Sequence, residues 1–146
     1  MPTSEIPLGF LLADAQRLLR QRFERVADAD GLGLSTSEAR TLAYIAVYSG
    51  RRQTALAEAM NVDPMTLVGY LDGLEAKGLV ERCPDPTDRR AKLVRPSPTA
   101  VAMTERIRSV GRTAREVALH GLSADETAVL RHALQRMIRN LSEAGG

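Results

Sequence analysis

From Leu8 to Ala29 the apolar residues Leu8, Leu11, Leu12, Ala15, Leu18, Leu19, Phe23 and Val26 recur at spacings of three and four, with arginines between them. That period predicts an amphipathic helix of about five to six turns. It is longer than a small lobe needs. A second helix is announced by Ser35 and Glu38, an S-x-x-E capping box, followed by the stripe Ala39, Leu42, Ala43, Ile45 and Ala46, which stops at Gly50. RRQTALAEAMNV supplies a short third helix with Leu56, Ala57 and Met60 inward and Asn61 in a tight exit turn. DPMTLVGYLDGLEAKG predicts a fourth, with Asp63 as N-cap, Pro64 at the first helical position and Gly78 as the stop. On its wheel Leu67, Leu71 and Leu74 lie within about 60° of one another and define the buried face. Met65, Gly69, Asp72, Gly73 and Ala76 are expected to point the other way, with Thr66 and Tyr70 on one flank.

The period then changes. LVERC (79–83) and AKLVRP (91–96) alternate as short strands, and the PDPTDRR segment between them reads as a hairpin loop of several residues. After Pro96 the pattern is helical again: Met103, Ile107, Val110, Ala114 and Val117 repeat at 4, 3, 4, 3 as a coiled-coil seam ending near His120 and Gly121. Ser123 and Glu126 form another capping box, and Leu130, Ala133, Leu134, Met137, Ile138 and Leu141 make a final amphipathic helix. Three helices followed by a hairpin give a mainly α fold with a small β-hairpin wing, a winged helix-turn-helix lobe. The expected divisions are residues 1–34 (N-terminal helix), 35–96 (the winged lobe) and 97–146 (C-terminal helices). The long terminal helices have no obvious partner within such a lobe. An intramolecular bundle and a two-fold homodimer both satisfy them, and the commonness of two-fold dimers favours the second.

Composition narrows the class. The chain has 146 residues, 44% hydrophobic and 26% charged, enough for one domain with a real core. Net charge is only +2, yet 18 of the 20 basic residues are Arg. Arginine suits bidentate contacts to phosphates and bases, although an Arg-rich, Lys-poor chain also follows from a GC-rich genome. The lone cysteine, Cys83, excludes an internal disulfide and any Cys-based zinc site, and implies a reducing, cytoplasmic setting. No apolar run suggests a signal sequence or a membrane span. His120 and His132 stand apart, so neither a metal nor a cofactor is expected. Nothing resembles a phosphate loop, a nucleophile elbow or a catalytic constellation, so an enzyme is not expected.

The candidate chemistry lies in DPTDRR. The minor groove of DNA is about 6 Å wide and strongly negative, so a reader of it must be thin and end in a cation. A proline-braced tip ending in Arg89 meets both demands. Asp85 and Asp88 are expected to fix that tip by turn hydrogen bonds and by pairing with Arg82 or Arg90; the alternative is a solvated charged loop. In the fourth helix Gly69 and Gly73 each cost about 1 kcal/mol relative to Ala, and close approach of an outward face to DNA is one reason to keep them. Met65 and Thr66 suit a thymine methyl and a base edge or phosphate. Asp72 suits a cytosine amino group or a nearby arginine. Gln53 and Thr54, after Arg51 and Arg52, suit a phosphate clamp or a solvated turn. Tyr44 and Tyr48, with Phe10 and Phe23, suit either a ligand-lined cleft or core packing.

GLSTSEARTLAYI, LAEAMNVDPMTLVGYLDGLEAKGLVER and DPTDRRAKLVRPS resemble the successive blocks of the MarR family of bacterial transcription regulators. The wing signature R-x-x-D-x-x-D-R-R is carried by Arg82, Asp85, Asp88, Arg89 and Arg90, and LEAKGLVER precedes it. The resemblance implies a homodimer whose terminal helices interlock, with recognition helices in successive major grooves of palindromic double-stranded DNA and wings in the minor grooves. It also implies base contacts reaching Val68 and Gly69, and, for many members, release by a small lipophilic or anionic effector. Residue reading and resemblance together place the DNA surface at Gln53, Thr54, Asp63, Pro64, Met65, Thr66, Val68, Gly69, Tyr70, Arg82, Asp88, Arg89 and Arg90. The sequence departs from the family's usual L-T-x-x-G at RPSPTA (95–100), where two prolines stiffen the junction. A DNA-binding regulator, acting as a repressor, is therefore expected; the alternative is a winged helix that binds protein instead.

Overall fold

The computed structural model describes residues 5–145; residues 1–4 and Gly146, which the expected terminal segments include, lie outside the described residues. The elements run α1 (Leu8–Asp30), α2 (Thr36–Val47), β1 (Arg51–Arg52), α3 (Gln53–Met60), α4 (Pro64–Ala76), β2 (Val80–Asp85), β3 (Asp88–Pro96), α5 (Val101–Ala118) and α6 (Ala124–Ala144), with a 3-10 turn at Pro98–Ala100 leading into α5. The chain forms two compact units, Met1–Ala114 and Arg115–Gly146.

Local chemistry accounts for most of the boundaries. The Ser35 side chain accepts from the Glu38 backbone N–H while the Glu38 carboxylate accepts from the Ser35 N–H, closing the predicted capping box. Asn61 ends α3 in the left-handed region at φ 52°, a conformation its short amide tolerates. Asp63 accepts from the Met65 N–H at 2.8 Å, and Pro64 opens α4 where its missing N–H costs nothing. Gly78, at φ 72°, turns the chain out of α4, and the Leu79 N–H returns to the Leu74 carbonyl, satisfying one of the helix's last free acceptors.

In the first unit the core is built from the predicted stripes. Leu42 and Ile45 of α2, Leu56 of α3 and Leu67, Leu71 and Leu74 of α4 are fully buried with Val94 of β3. Each such side chain contributes about 1.5–3 kcal/mol of burial. Residues 35–96 do not close this core alone: Ala27 and Leu32 join it from one side, and Ala100, Ile107 and Val110 from the other. Half of the α5 seam is thus consumed within the lobe, with Met103 packed against the same cluster. Val117 stays exposed.

Two features of the wing differ from the sequence expectation. The sheet has three strands in the order β1-β3-β2, because Arg51 and Arg52 pair antiparallel with Val94 and Leu93. A two-residue strand is too short to leave a period in the sequence. The hairpin is also tighter and longer than expected: Asp85 pairs with Asp88, so only Pro86 and Thr87 form the turn. Pro84 pairs with Lys92, so Arg89, Arg90 and Ala91 have no counterpart across the ladder. That irregularity lies at the root of the tip, where bulges re-aim side chains.

In the second unit, α6 begins with the Ser123–Glu126 capping box. None of its residues is buried. Val129, Leu130, Ile138 and Leu141 are exposed, as are Leu8, Phe10, Leu11, Leu18 and Leu19 of α1 in the first unit.

Candidate nucleic-acid interface

The tip of the wing is held from beneath. One oxygen of the buried Asp85 carboxylate accepts from the Thr87 N–H at 2.8 Å and from its hydroxyl at 2.7 Å, while the other accepts from Arg52 Nε of β1 at 2.7 Å. Those bonds, the Thr87 backbone N–H foremost, hold the Asp85 carboxyl below the usual carboxylate range. Asp88 accepts from the Arg90 N–H at 3.0 Å. Each aspartate therefore braces the residue two positions on, as Asx turns do, and Pro86 fixes the backbone between them. The expected turn bonds are present, but the expected ion pairs are not: Asp85 takes Arg52 as its partner, not Arg82 or Arg90. Arg89 and Arg90 are exposed and make no ion pair among the described residues.

Arg82 is engaged elsewhere. Its guanidinium donates to Asp72 at 2.6 Å and to Glu75 at 3.0 and 3.2 Å, leaving its side chain 18% exposed. The hydrogen bonds to Glu75, with those to Asp72, raise its pKa further against the desolvation cost, and Arg82 in turn lowers that of Glu75. Arg82 thus fastens the base of the wing to the middle of α4. Asp72 takes the second of its two expected roles, an arginine partner.

On α4, Asp63, Pro64, Thr66 and Gly69 are exposed, and Met65 is 75% exposed, a large apolar side chain with no protein partner at a helix N-terminus. Met65, Gly69 and Asp72 follow at helical spacing, so the outward stripe that begins at the first turn ends at the Arg82 pair. Val68 is half-buried, and Tyr70 is half-buried against the core. The glycines separate. A Cβ on Gly69 would meet nothing, whereas one on Gly73 would run into the Glu38 carboxylate. The outward placement of Gly73 is therefore corrected: it is small because α4 crosses the N-terminus of α2 there. At that crossing Lys77 donates to both Glu38 oxygens, at 2.8 and 2.9 Å. Burial alone would push the Glu38 carboxyl up, but Lys77 and the Ser35 N–H outweigh it and hold it below the usual range.

Thr54 is exposed and Gln53 half-buried at the start of α3. Of the residues considered for a ligand cleft, Tyr44 and Tyr48 stack with centroids 6.1 Å apart, and the Arg51 guanidinium lies 4.6 Å over the Tyr48 ring. Tyr44 and Phe23 pack against the core, while Phe10 is 67% exposed on α1. Arg51 and Arg52 were legible only as a basic pair; their division of labour depends on strand pairing that has no sequence signature. Cys83 is half-buried, with the Arg95 guanidinium 3.5 Å from its sulfur. Among the described residues no cluster of three or more metal-ligating side chains occurs, and no helix is long and apolar enough to cross a membrane.

Three helices with a three-stranded wing, a capped and outwardly exposed α4, and a tip carrying two exposed arginines define a winged helix-turn-helix protein. Residues 32–91 match the model of the MarR family. A solved structure of MarR covers 99% of this chain and 96% of its own at 25% identity, with a TM-score of 0.81. A MarR-family transcriptional regulator from Rhodococcus sp. RHA1 is 25% identical over 89% of this chain and 91% of its own, with a TM-score of 0.76. A cysteine-to-serine mutant of MarR from E. coli, in complex with operator DNA, is 27% identical over 90% and 94%, with a TM-score of 0.70. The chain thus shares the winged-helix fold of these MarR structures, and its residues 32–91 resemble the corresponding segment of the MarR family.

Proposed function

We propose that this protein is a sequence-specific, homodimeric DNA-binding transcription regulator, a repressor that acts on a palindromic operator. The observation that carries the reading is the wing tip: two exposed arginines at the start of β3, beside a turn whose flanking aspartates are already committed to bracing it. An exposed methionine in the first turn of a capped helix adds an apolar contact suited to a thymine methyl. The relative bound to operator DNA supports the same use of the fold. Arg89 and Arg90 are the minor-groove cations, Met65, Thr66 and Gly69 face the major groove, and Asp63, Pro64, Asp88 and Arg82 set the geometry. With no long polar side chain in the first turn of α4, direct base readout is modest, and wing, DNA shape and half-site spacing carry more of the specificity. The exposed apolar residues of α1 and of α6 are covered by a second copy, and paired recognition helices meet half-sites roughly 34–36 Å apart.

The test is selection of duplexes from a random-sequence pool, followed by fluorescence anisotropy across a salt series. Wild type is expected to bind the selected duplex with a steep linear log–log salt dependence, and Arg89→Ala to weaken binding with a shallower slope. Failure to enrich any sequence, together with an association that ignores salt, would point to a protein partner instead.

A further inference from the structure

We propose that Arg51 is a DNA-phosphate contact, held in place by the aromatic stack of Tyr48 on Tyr44. The inference rests on the DNA-binding reading above and extends it to a cation at the opposite end of the sheet from the wing tip. Adjacent arginines on a two-residue strand have opposite fates. Arg52 is spent on Asp85, whereas Arg51 is exposed and makes no ion pair among the described residues.

Arg51 is nevertheless not a loose surface side chain. Its guanidinium rests 4.6 Å over the Tyr48 ring, Tyr48 stacks on Tyr44, and Tyr44 packs against the core. A cation is thus seated on a rigid support while its donors stay free, so little side-chain freedom is lost when an anion arrives. The backbone is fixed as well: the Gly50 N–H donates to the Val94 carbonyl at 2.9 Å, and Arg51 pairs with Val94.

Its position along the sheet suits a backbone contact. Val94 lies four residues from Arg90 on β3, a span of about 13 Å at strand rise. With the tip in a minor groove about 6 Å wide, a cation that far back reaches past the groove edge to the flanking phosphates. The exposed Thr54 lies in the first turn of α3, directly after β1. Tyr48 is then a positioning residue for Arg51, its ring shared between the core-anchored stack and the guanidinium.

The experiment compares wild type, Arg51→Gln, Tyr48→Leu and Tyr48→Phe on the duplex selected by wild type and on an unrelated duplex, by anisotropy across a salt series. Arg51→Gln is expected to lose roughly tenfold in affinity on both duplexes alike and to flatten the log–log salt slope by about 0.9, the loss of one phosphate. Tyr48→Leu is expected to lose roughly two- to fivefold with the slope unchanged, and Tyr48→Phe, which keeps the ring, to restore it. Wild-type affinity and slope in Arg51→Gln, alongside weakened binding by Arg89→Ala, would overturn this inference and leave the DNA-binding reading standing. A Tyr48→Leu variant indistinguishable from wild type would overturn the positioning role. Salt-insensitive association by the wild type would overturn both readings together.

Discussion

At the scale of the residue, the two glycines of α4 show how identical letters acquire different reasons. Gly69 faces open space, so alanine there removes a helix-interior penalty of about 1 kcal/mol with nothing to strike. Gly69→Ala is expected to raise Tm by a few degrees while weakening DNA binding, because the added methyl occupies the face proposed to meet the major groove. Gly73→Ala is expected to do the reverse to stability, since its methyl must displace a carboxylate tied to Lys77 and to the α2 cap. Thermal melts of the two variants, side by side, check both. Equal shifts of the same sign would contradict the account.

At the scale of the element, the wing is a lever fixed at two points, Arg82 against α4 and Asp85 against Arg52. Arg82→Ala is expected to lower DNA affinity on all sequences with the salt slope retained, because it removes a support and not a phosphate contact. Hydrogen exchange in β2 and β3 should accelerate in the same variant. The carboxylates in these contacts also set an acid limit. Asp85, Glu75 and Glu38 hold their charge more tightly folded than unfolded, so protonation favours the unfolded chain. Their stabilisation is complete above the ordinary carboxylate range of about pH 4 to 4.5 and is lost as pH falls through the depressed folded values. Tm measured from pH 7 to pH 3 should therefore hold nearly level and then fall, and Lys77→Met should shrink the part of that fall due to Glu38.

At the scale of the whole molecule, the exposed apolar positions of α6 have no role within their own unit. Ile138→Glu leaves every buried contact intact, yet places a charge where a second copy is expected to sit. Sedimentation should show wild type as a dimer and the variant dissociating at least tenfold more readily, with little change in helicity. A monomeric wild type at micromolar concentration would refute the dimer.

What the sequence determined by itself is what local physics determines. Apolar period, the Ser35 and Ser123 capping boxes, the Asp63-Pro64 start and the glycine and asparagine stops each act within a few residues, so α1 to α6 and the existence of the wing were readable, as was the tip on which Arg89 and Arg90 sit. Tertiary structure decided which partner each charge takes. Arg52 reaches Asp85 across 33 positions and Lys77 reaches Glu38 across 39, and nothing in either neighbourhood records such a pairing. The same holds for β1, whose two residues are a strand only because β3 lies beside them, and for Gly73, which is small only because Glu38 is there. Sequence spacing encodes the shape of an element; which elements touch, and therefore which arginines are left free for an anion, is settled when the core closes.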